Sequence, residues 1–283
     1  MSEKRIKVDY LARVEGEGAL DVQVSGGRVT DLKLKIFEPP RFFEAFLVGR
    51  SYLEVGDITS RICGICPVAY QTSAANAVED AFQLKVEGSL RQLRRLIYLS
   101  EYLESHVLHI YFLAAPDFLG YESAISMAQD YPGVVQRALR MKRLGNDLMA
   151  AVGGREVHPV ALRPGGFYKV PRREDLLPFV PRLLEGKQDA LDTLEVVAGL
   201  DLPDLTRDIE FVALSHPTEY AMLDGRVVSS KGLDLSVQEY EEYFEEEHVP
   251  YSNALHSRIK GRGAYFVGPL ARVNLNFDRL SPD

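Results

Sequence analysis

The chain has no tryptophan, only two cysteines in 283 residues, no long uninterrupted apolar run and no block of positive charge. Each shortage removes a class of function. Crossing a bilayer as a helix takes about 20 consecutive apolar residues, and the opening Met-Ser-Glu-Lys-Arg-Ile-Lys-Val has no apolar stretch of the kind an export signal carries. Neither a membrane span nor a secretory leader is expected, and the expected location is cytoplasmic. The formal net charge is -8, from 33 Lys and Arg against 41 Asp and Glu. Phosphate backbones are bound by concentrated Lys and Arg, so nucleic acid is not an expected partner. Two cysteines cannot staple a secreted scaffold, and their position three apart points instead to metal or redox chemistry.

What is present is enough to fold. A hydrophobic content of 46% over this length supports a substantial core. Leu20, Val22 and Val24 alternate, as do Leu32, Leu34 and Ile36, with turn residues between, which predicts a hairpin with one buried face. Beyond Pro39 and Pro40 the pattern becomes helical: a short helix near Phe43 to Val48, an Ala-rich one over 67 to 83, and a long one over 90 to 115. In the long one Leu90, Leu93, Leu96 and Ile97 share a face, and Pro116 should mark its end. Further helices are expected over 134 to 151, stopped by Gly153 and Gly154, over 174 to 199 with breaks near Pro178 and Pro181, and over 236 to 247. Asp224 and Gly225 suggest a second hairpin between 220–223 and 226–229. The fold class is therefore α+β, predominantly helical, with an N-terminal β region over 1–55 and a mainly helical core over 56–283.

Cys63-Gly64-Ile65-Cys66-Pro67 carries the chemistry. The spacing lets two sulfurs face one ion, Gly64 supplies freedom for a tight turn, and Pro67 suits the first position of a helix. Cys66 then becomes the N-cap residue, where the positive helix end favours thiolate over thiol. The alternative is a pair of small buried apolar residues. A structural zinc would need two more ligands, and neither another cysteine nor suitably spaced histidines exist among the six present. A thioredoxin-like redox pair lacks its βαβ surroundings. The acidic run 239–247 reads as a solvated helix face, and Glu245-x-x-His248 within it is one copy of a motif that needs two. Gly16-Glu17-Gly18 and Gly261-Arg262-Gly263 each lack the third glycine of a dinucleotide fingerprint.

Several blocks in order along the chain carry a resemblance: Arg13-Val14-Glu15-Gly16, Pro40-Arg41-Phe42-Phe43-Glu44, Arg61 to Pro67, Glu104-Ser105-His106 with His109, Pro116-Asp117, and Val267-Gly268-Pro269-Leu270-Ala271-Arg272-Val273. The chain resembles the large, catalytic subunit of nickel-iron hydrogenases, in particular the soluble bidirectional type coupled to NAD or NADP. The resemblance implies a nickel-iron centre whose iron carries carbon monoxide and cyanide. Cys63 matches the terminal nickel ligand and Cys66 a bridging one. Soft thiolates suit nickel, and a terminal thiolate can accept the proton released when dihydrogen is polarised. By the same resemblance Glu15 is the proton-relay carboxylate, Glu44 a magnesium ligand and Asp117 an acidic group over the open coordination position, while His106 and His109 lie beyond the direct ligands. Read without it, Glu15 is a surface residue and Glu44 a first-turn helix carboxylate.

The resemblance also implies partners. These are a small subunit bearing iron-sulfur clusters, then diaphorase-type subunits with flavin and NAD(P), because two cysteines cannot hold a four-cysteine cluster. Dihydrogen and protons are the substrates. Two departures stand out. Tyr70 occupies a place where many relatives have histidine, which should alter a hydrogen bond near Cys66 rather than abolish metal binding. The family's C-terminal DPCxxC is missing from these 283 residues, so the chain is expected to be truncated relative to the family, with half of the nickel ligands. A non-catalytic remnant that binds electron-transfer partners, like the related subunit of respiratory complex I, is the alternative. The retained cysteines and Glu15 count against it.

Overall fold

Strands β1 (Glu3–Val8), β2 (Gly18–Ser25) and β3 (Arg28–Ile36) form an antiparallel sheet in that order. The alternation seen in the sequence gives β2 and β3. Their two-residue connection, Gly26-Gly27, has φ of 58 and 77, the left-handed geometry that a tight hairpin twist requires. Strand β1 lacks such a signal because its residues are charged and mostly exposed, as suits an edge. It is fixed by Arg5, whose guanidinium grips buried Asp21 and, through that bond, holds its carboxyl down at about 2.

The computed structural model describes residues 3–14, 16–38 and 41–280, and divides into two units, Phe42–Pro203 and Met1–Arg41 with Asp204–Asp283. The division expected at 55/56 thus lies inside the first of these. That unit contains α1 (Arg41–Leu47), α2 (Val55–Ser60), α3 (Pro67–Ala81), α4 (Gly88–Leu108), α5 (Ala115–Leu119), α6 (Ala124–Asp130), α7 (Pro132–Gly153), the short hairpin β4 (Leu162–Arg163) and β5 (Gly166–Phe167), α8 (Arg173–Leu176) and α9 (Phe179–Ala198). Its main core joins Val68 and Ala75 of α3, Ile97 of α4, Met149 and Val152 of α7, and Leu162 and Phe167 of the hairpin.

Pro116 does not end the long helix. A π-helical turn, His109–Ala114, links α4 to α5, so Pro116 enters α5 where a ladder of wider hydrogen bonds has already relieved the need for its missing N–H. The stop comes at Gly120, with φ 78. The buried line of α4 also differs from the expected one: Leu90, Leu93 and Leu96 are half-buried, whereas Arg94, Ile97, Glu101 and Glu104 are buried. Helix α7 crosses α4 closely at Gly145, where a Cβ would stand 2.9 Å from the Glu104 amide nitrogen and 3.1 Å from the Ser100 carbonyl oxygen. Gly154, at φ 89, ends α7 as predicted. The break near Pro178 is present, but Pro181 lies in the first turn of α9, where proline costs no hydrogen bond.

In the other unit, β6 (Glu210–Ser215), β7 (Arg226–Ser229), β8 (Asp234–Leu235) and β11 (Tyr265–Phe266) form a sheet in the order β11-β6-β7-β8. The expected hairpin across Asp224-Gly225 is not formed, because β7 pairs with β6 and residues 220–223 lie in the loop between them. Buried Ala221, Met222 and Leu223 hold that loop in the core. The expected helix over 236–247 is overturned too. Only α10 (Tyr240–Tyr243) and a short 3₁₀ turn are helical, and β9 (Phe244–Glu247) pairs with β10 (His256–Ile259). Arg258 explains the strand, since it bonds Glu245 at 2.8 Å and reaches Glu247 at 3.1 Å across the ladder, while Phe244 is buried against Ile259. Asn253 ties this region to the N-terminal sheet, donating to Ile36 and Phe37 carbonyls at 2.8 and 2.6 Å. Helix α11 (Pro269–Asn276) begins after Gly268 and is anchored on β6 by Asn276 Nδ2, which donates to the Leu214 carbonyl at 2.9 Å.

Candidate metal centre

Cys63 and Cys66 occupy the turn that joins α2 to α3, and Cys66 is the N-cap residue of α3 with Pro67 in its first turn. Both side chains are half-buried. The sulfurs are joined as a disulfide, with Cα atoms 5.4 Å apart. The convergence that permits that bond is also what a shared ion needs, once two electrons restore the thiolates. The turn follows a helix rather than a strand, so the surroundings of a thioredoxin-like pair are absent. Gly64 is not needed for backbone freedom: its φ is outside the left-handed region, and a Cβ there would meet nothing within 4 Å.

A helix start leaves its first amides without acceptors, and an N-cap side chain ordinarily supplies one. Here the Cys66 side chain makes no capping bond. The Cys66 N–H donates to Cys63 Sγ at 3.1 Å, Pro67 has no N–H, and the Val68 and Ala69 amides donate to the two oxygens of Glu101 at 2.6 and 3.1 Å. Every orphan donor of the first turn is accounted for without using Cys66 Sγ. Glu101 is 3% exposed. Burial pushes its carboxyl up to about 8, outweighing the two amide bonds that favour the charged form, and neighbouring Glu104 adds to the rise. Glu104 is likewise raised by burial, with Lys142 Nζ at 3.1 Å opposing.

The other end of α3 is fixed by an ion pair. Glu79 and Arg94 of α4 are bonded through both ends of each group, one bond being 2.7 Å, and neither side chain is more than 7% exposed. Glu79 also accepts the Gly165 amide at 2.7 Å, and Arg94 donates to the Arg163 carbonyl at 2.9 Å. With Glu79 opposite Arg94 and Val68 opposite Glu101, α3 and α4 run antiparallel. The cysteine turn therefore rests on the middle of α4.

The remaining expected residues lie on other elements. Glu44 is exposed in the first turn of α1, as its helix-terminal reading predicts. Asp117 is exposed in the first turn of α5. His106 and His109, expected in a buried helix, both face outward from the chain, with the His106 ring 5.1 Å from that of Tyr102. Tyr70 is half-buried one turn into α3. Glu15 lies outside the described residues. Among the described residues no third carboxylate or imidazole stands within ligand distance of both sulfurs; the one group of three such side chains is His216, Glu219 and Asp224, on the loop between β6 and β7. Glu101 went unnoticed in the sequence, although a carboxylate at helical spacing from Arg94, Ile97 and Glu104 was a legible signal. Among the described residues no helix is long and apolar enough to cross a membrane.

Comparison with known proteins places the chain among hydrogenase subunits. A family model described as nickel-dependent hydrogenase matches residues 41–132. The alpha subunit of sulfhydrogenase 2 from Pyrococcus furiosus is 35% identical over 277 residues, covering 97% of this chain and 64% of its own length. A vhu-type subunit of the F420-non-reducing hydrogenase from Methanocaldococcus jannaschii is 30% identical over 302 residues, covering 98% of this chain and 72% of its own. Among solved structures, an NAD+-reducing [NiFe]-hydrogenase in the H2-reduced state superposes with a TM-score of 0.87 at 26% identity, over 96% of this chain and 66% of that one. The Ni-Fe-Se hydrogenase of D. vulgaris Hildenborough shares the fold, with a TM-score of 0.79 at 24% identity. The chain thus spans 64% of the length of the sulfhydrogenase subunit.

Proposed function

Because the chain belongs to the nickel-dependent hydrogenase family and has its large-subunit fold, we propose that it supplies the N-terminal cysteine pair of a nickel-iron centre in the catalytic subunit of a hydrogenase. The observation that carries this is the first turn of α3, where both sulfurs converge at a positive helix end and no orphan amide draws on Cys66 Sγ. When bound, the centre, with carbon monoxide and cyanide on its iron, supplies the Lewis acid that polarises dihydrogen for heterolytic cleavage. Cys63 would hold the nickel side and take up a proton at Sγ, and Cys66 would supply the second thiolate that holds the centre. Two sulfurs fill half of a four-sulfur set, so the other pair comes from outside residues 1–283.

The Glu15 carboxylate accepts the proton from the thiolate side and passes it outward. Asp117 would be the acidic group that serves the centre, and Glu44 would supply an oxygen to a magnesium ion. Electrons leave through iron-sulfur clusters of a small subunit toward NAD(P) by way of diaphorase-type subunits. The NAD+-reducing enzyme among the structural relatives supports that route. The protein works in the cytoplasm.

In the assembled enzyme, Cys63→Ser or Cys66→Ser should abolish hydrogen turnover, measured by viologen reduction, and lower nickel content. Glu15→Gln should suppress hydrogen-deuterium exchange with solvent while nickel stays bound. Full activity in either cysteine variant would overturn the assignment, and normal exchange in Glu15→Gln would remove Glu15 from the relay.

A further inference from the structure

A residue at an N-cap has two uses for its side chain, and Cys66 can serve only one of them. Serine or aspartate in that place would turn its oxygen onto the amides of the first turn and stabilise the helix start. A sulfur that ligates a metal cannot also do so, yet a helix start with unsatisfied buried amides would fray. The fold resolves this with a carboxylate from another helix. Glu101 extends from α4, 3% exposed, and accepts the Val68 amide at 2.6 Å and the Ala69 amide at 3.1 Å, one on each oxygen. These are the second and third residues beyond Cys66. Its own helix packs closely against α7 at Gly145, which meets the backbone of Ser100, next to Glu101, and of Glu104, three residues on.

We propose that Glu101 is a positioning residue for the cysteine pair: a cap supplied in trans that fixes the start of α3 and leaves Cys66 Sγ available to a metal. The proposal rests on the reading of that pair as a metal-ligand site. Its action is transmitted through the backbone, because the rigid peptides of Cys66 to Ala69 link the capped amides to the bond from Cys66 N–H to Cys63 Sγ at 3.1 Å. Loosening of residues 68 and 69 therefore changes the separation of the two sulfurs.

The test uses the whole chain under reducing conditions, comparing wild type with Glu101→Gln and Glu101→Ala. Amide hydrogen exchange is followed at Cys66, Val68 and Ala69, with Leu148 and Met149 in the α7 core as the control for general destabilisation. Cobalt(II) is the metal probe, read by its sulfur-to-metal charge-transfer band. In Glu101→Ala, exchange at Val68 and Ala69 should rise roughly tenfold, as loss of a helix cap predicts. Cobalt affinity should fall roughly tenfold, as loss of an orienting group predicts, with α7 unchanged. Glu101→Gln keeps one good acceptor and the same volume, so it should fall between the two. Unchanged exchange at residues 66 to 69 in both variants would overturn the proposal, as would faster exchange with unaltered cobalt affinity, which would make Glu101 a helix cap and nothing more. A wild-type chain with no charge-transfer band would instead overturn the metal reading of the cysteines, a result distinct from any effect of residue 101.

Discussion

Both ends of α3 are held to α4 by a buried carboxylate, but only one of those carboxylates meets a cation. At the C-terminal end Glu79 and Arg94 neutralise each other and are further bonded to the β4–β5 hairpin. At the N-terminal end Glu101 faces two backbone amides and no positive side chain on α3. The first arrangement is a clamp of two opposite charges, bonded to each other and to the backbone around them. The second leaves the first amides of α3 bonded to a carboxylate from α4 and not to the Cys66 side chain. On the proposed reading of the cysteine pair, structural anchoring and ligand presentation are divided between the ends of one helix.

Breaking the clamp should have the largest effect. Arg94→Met leaves Glu79 buried without its cation and should cost about 3–5 kcal/mol, measured by denaturant unfolding. Adding Glu79→Leu should recover part of that loss, since it removes the unpaired charge but leaves the Gly165 amide and the Arg163 carbonyl without these partners. The capped end should show its difference through pH. The Glu101 carboxyl ordinarily titrates near 4.5 and is raised by burial to about 8, so the folded chain keeps a proton that the unfolded chain releases. Its contribution to stability is therefore complete below pH 4.5 and is lost as pH rises to 8, on the order of a few kcal/mol. Unfolding curves taken across that window should show the decline in wild type and a flatter profile in Glu101→Gln.

Two glycines sharpen the contrast at smaller scale. Gly145→Ala places a methyl against the Glu104 amide and the Ser100 carbonyl, both backbone atoms, and should cost about 1–3 kcal/mol by thermal unfolding. Gly64→Ala, next to Cys63, meets open space at an ordinary φ and should change stability by less than about 0.5 kcal/mol. A large loss there would show that the turn needs the glycine after all.

The sequence made the cysteine turn legible because all its determinants are local: the spacing of two thiols and a proline that starts a helix. The trans cap was hidden for the opposite reason. Glu101 acts on amides 33 and 32 positions away, and a glutamate in a helix reads by default as solvated. Its place on a line with Arg94, Ile97 and Glu104 was the available clue, and Leu93 and Leu96, one position before Arg94 and Ile97, drew attention from it. The acidic stretch before residue 248 misled for a related reason. Its charges are answered by Arg258 on a neighbouring strand, so a pattern that suits a solvated helix serves a hairpin equally well. Pro116 misled because a π-helical turn accommodates what an α-helix rejects.

Nickel-edge X-ray absorption on the assembled enzyme, comparing wild type with Cys63→Ser and Cys66→Ser, tests most directly whether these two sulfurs are nickel ligands. The account predicts sulfur-dominated scattering in wild type and loss of sulfur scattering or of nickel itself in each variant. Undiminished nickel with an unchanged sulfur shell in both variants would contradict it.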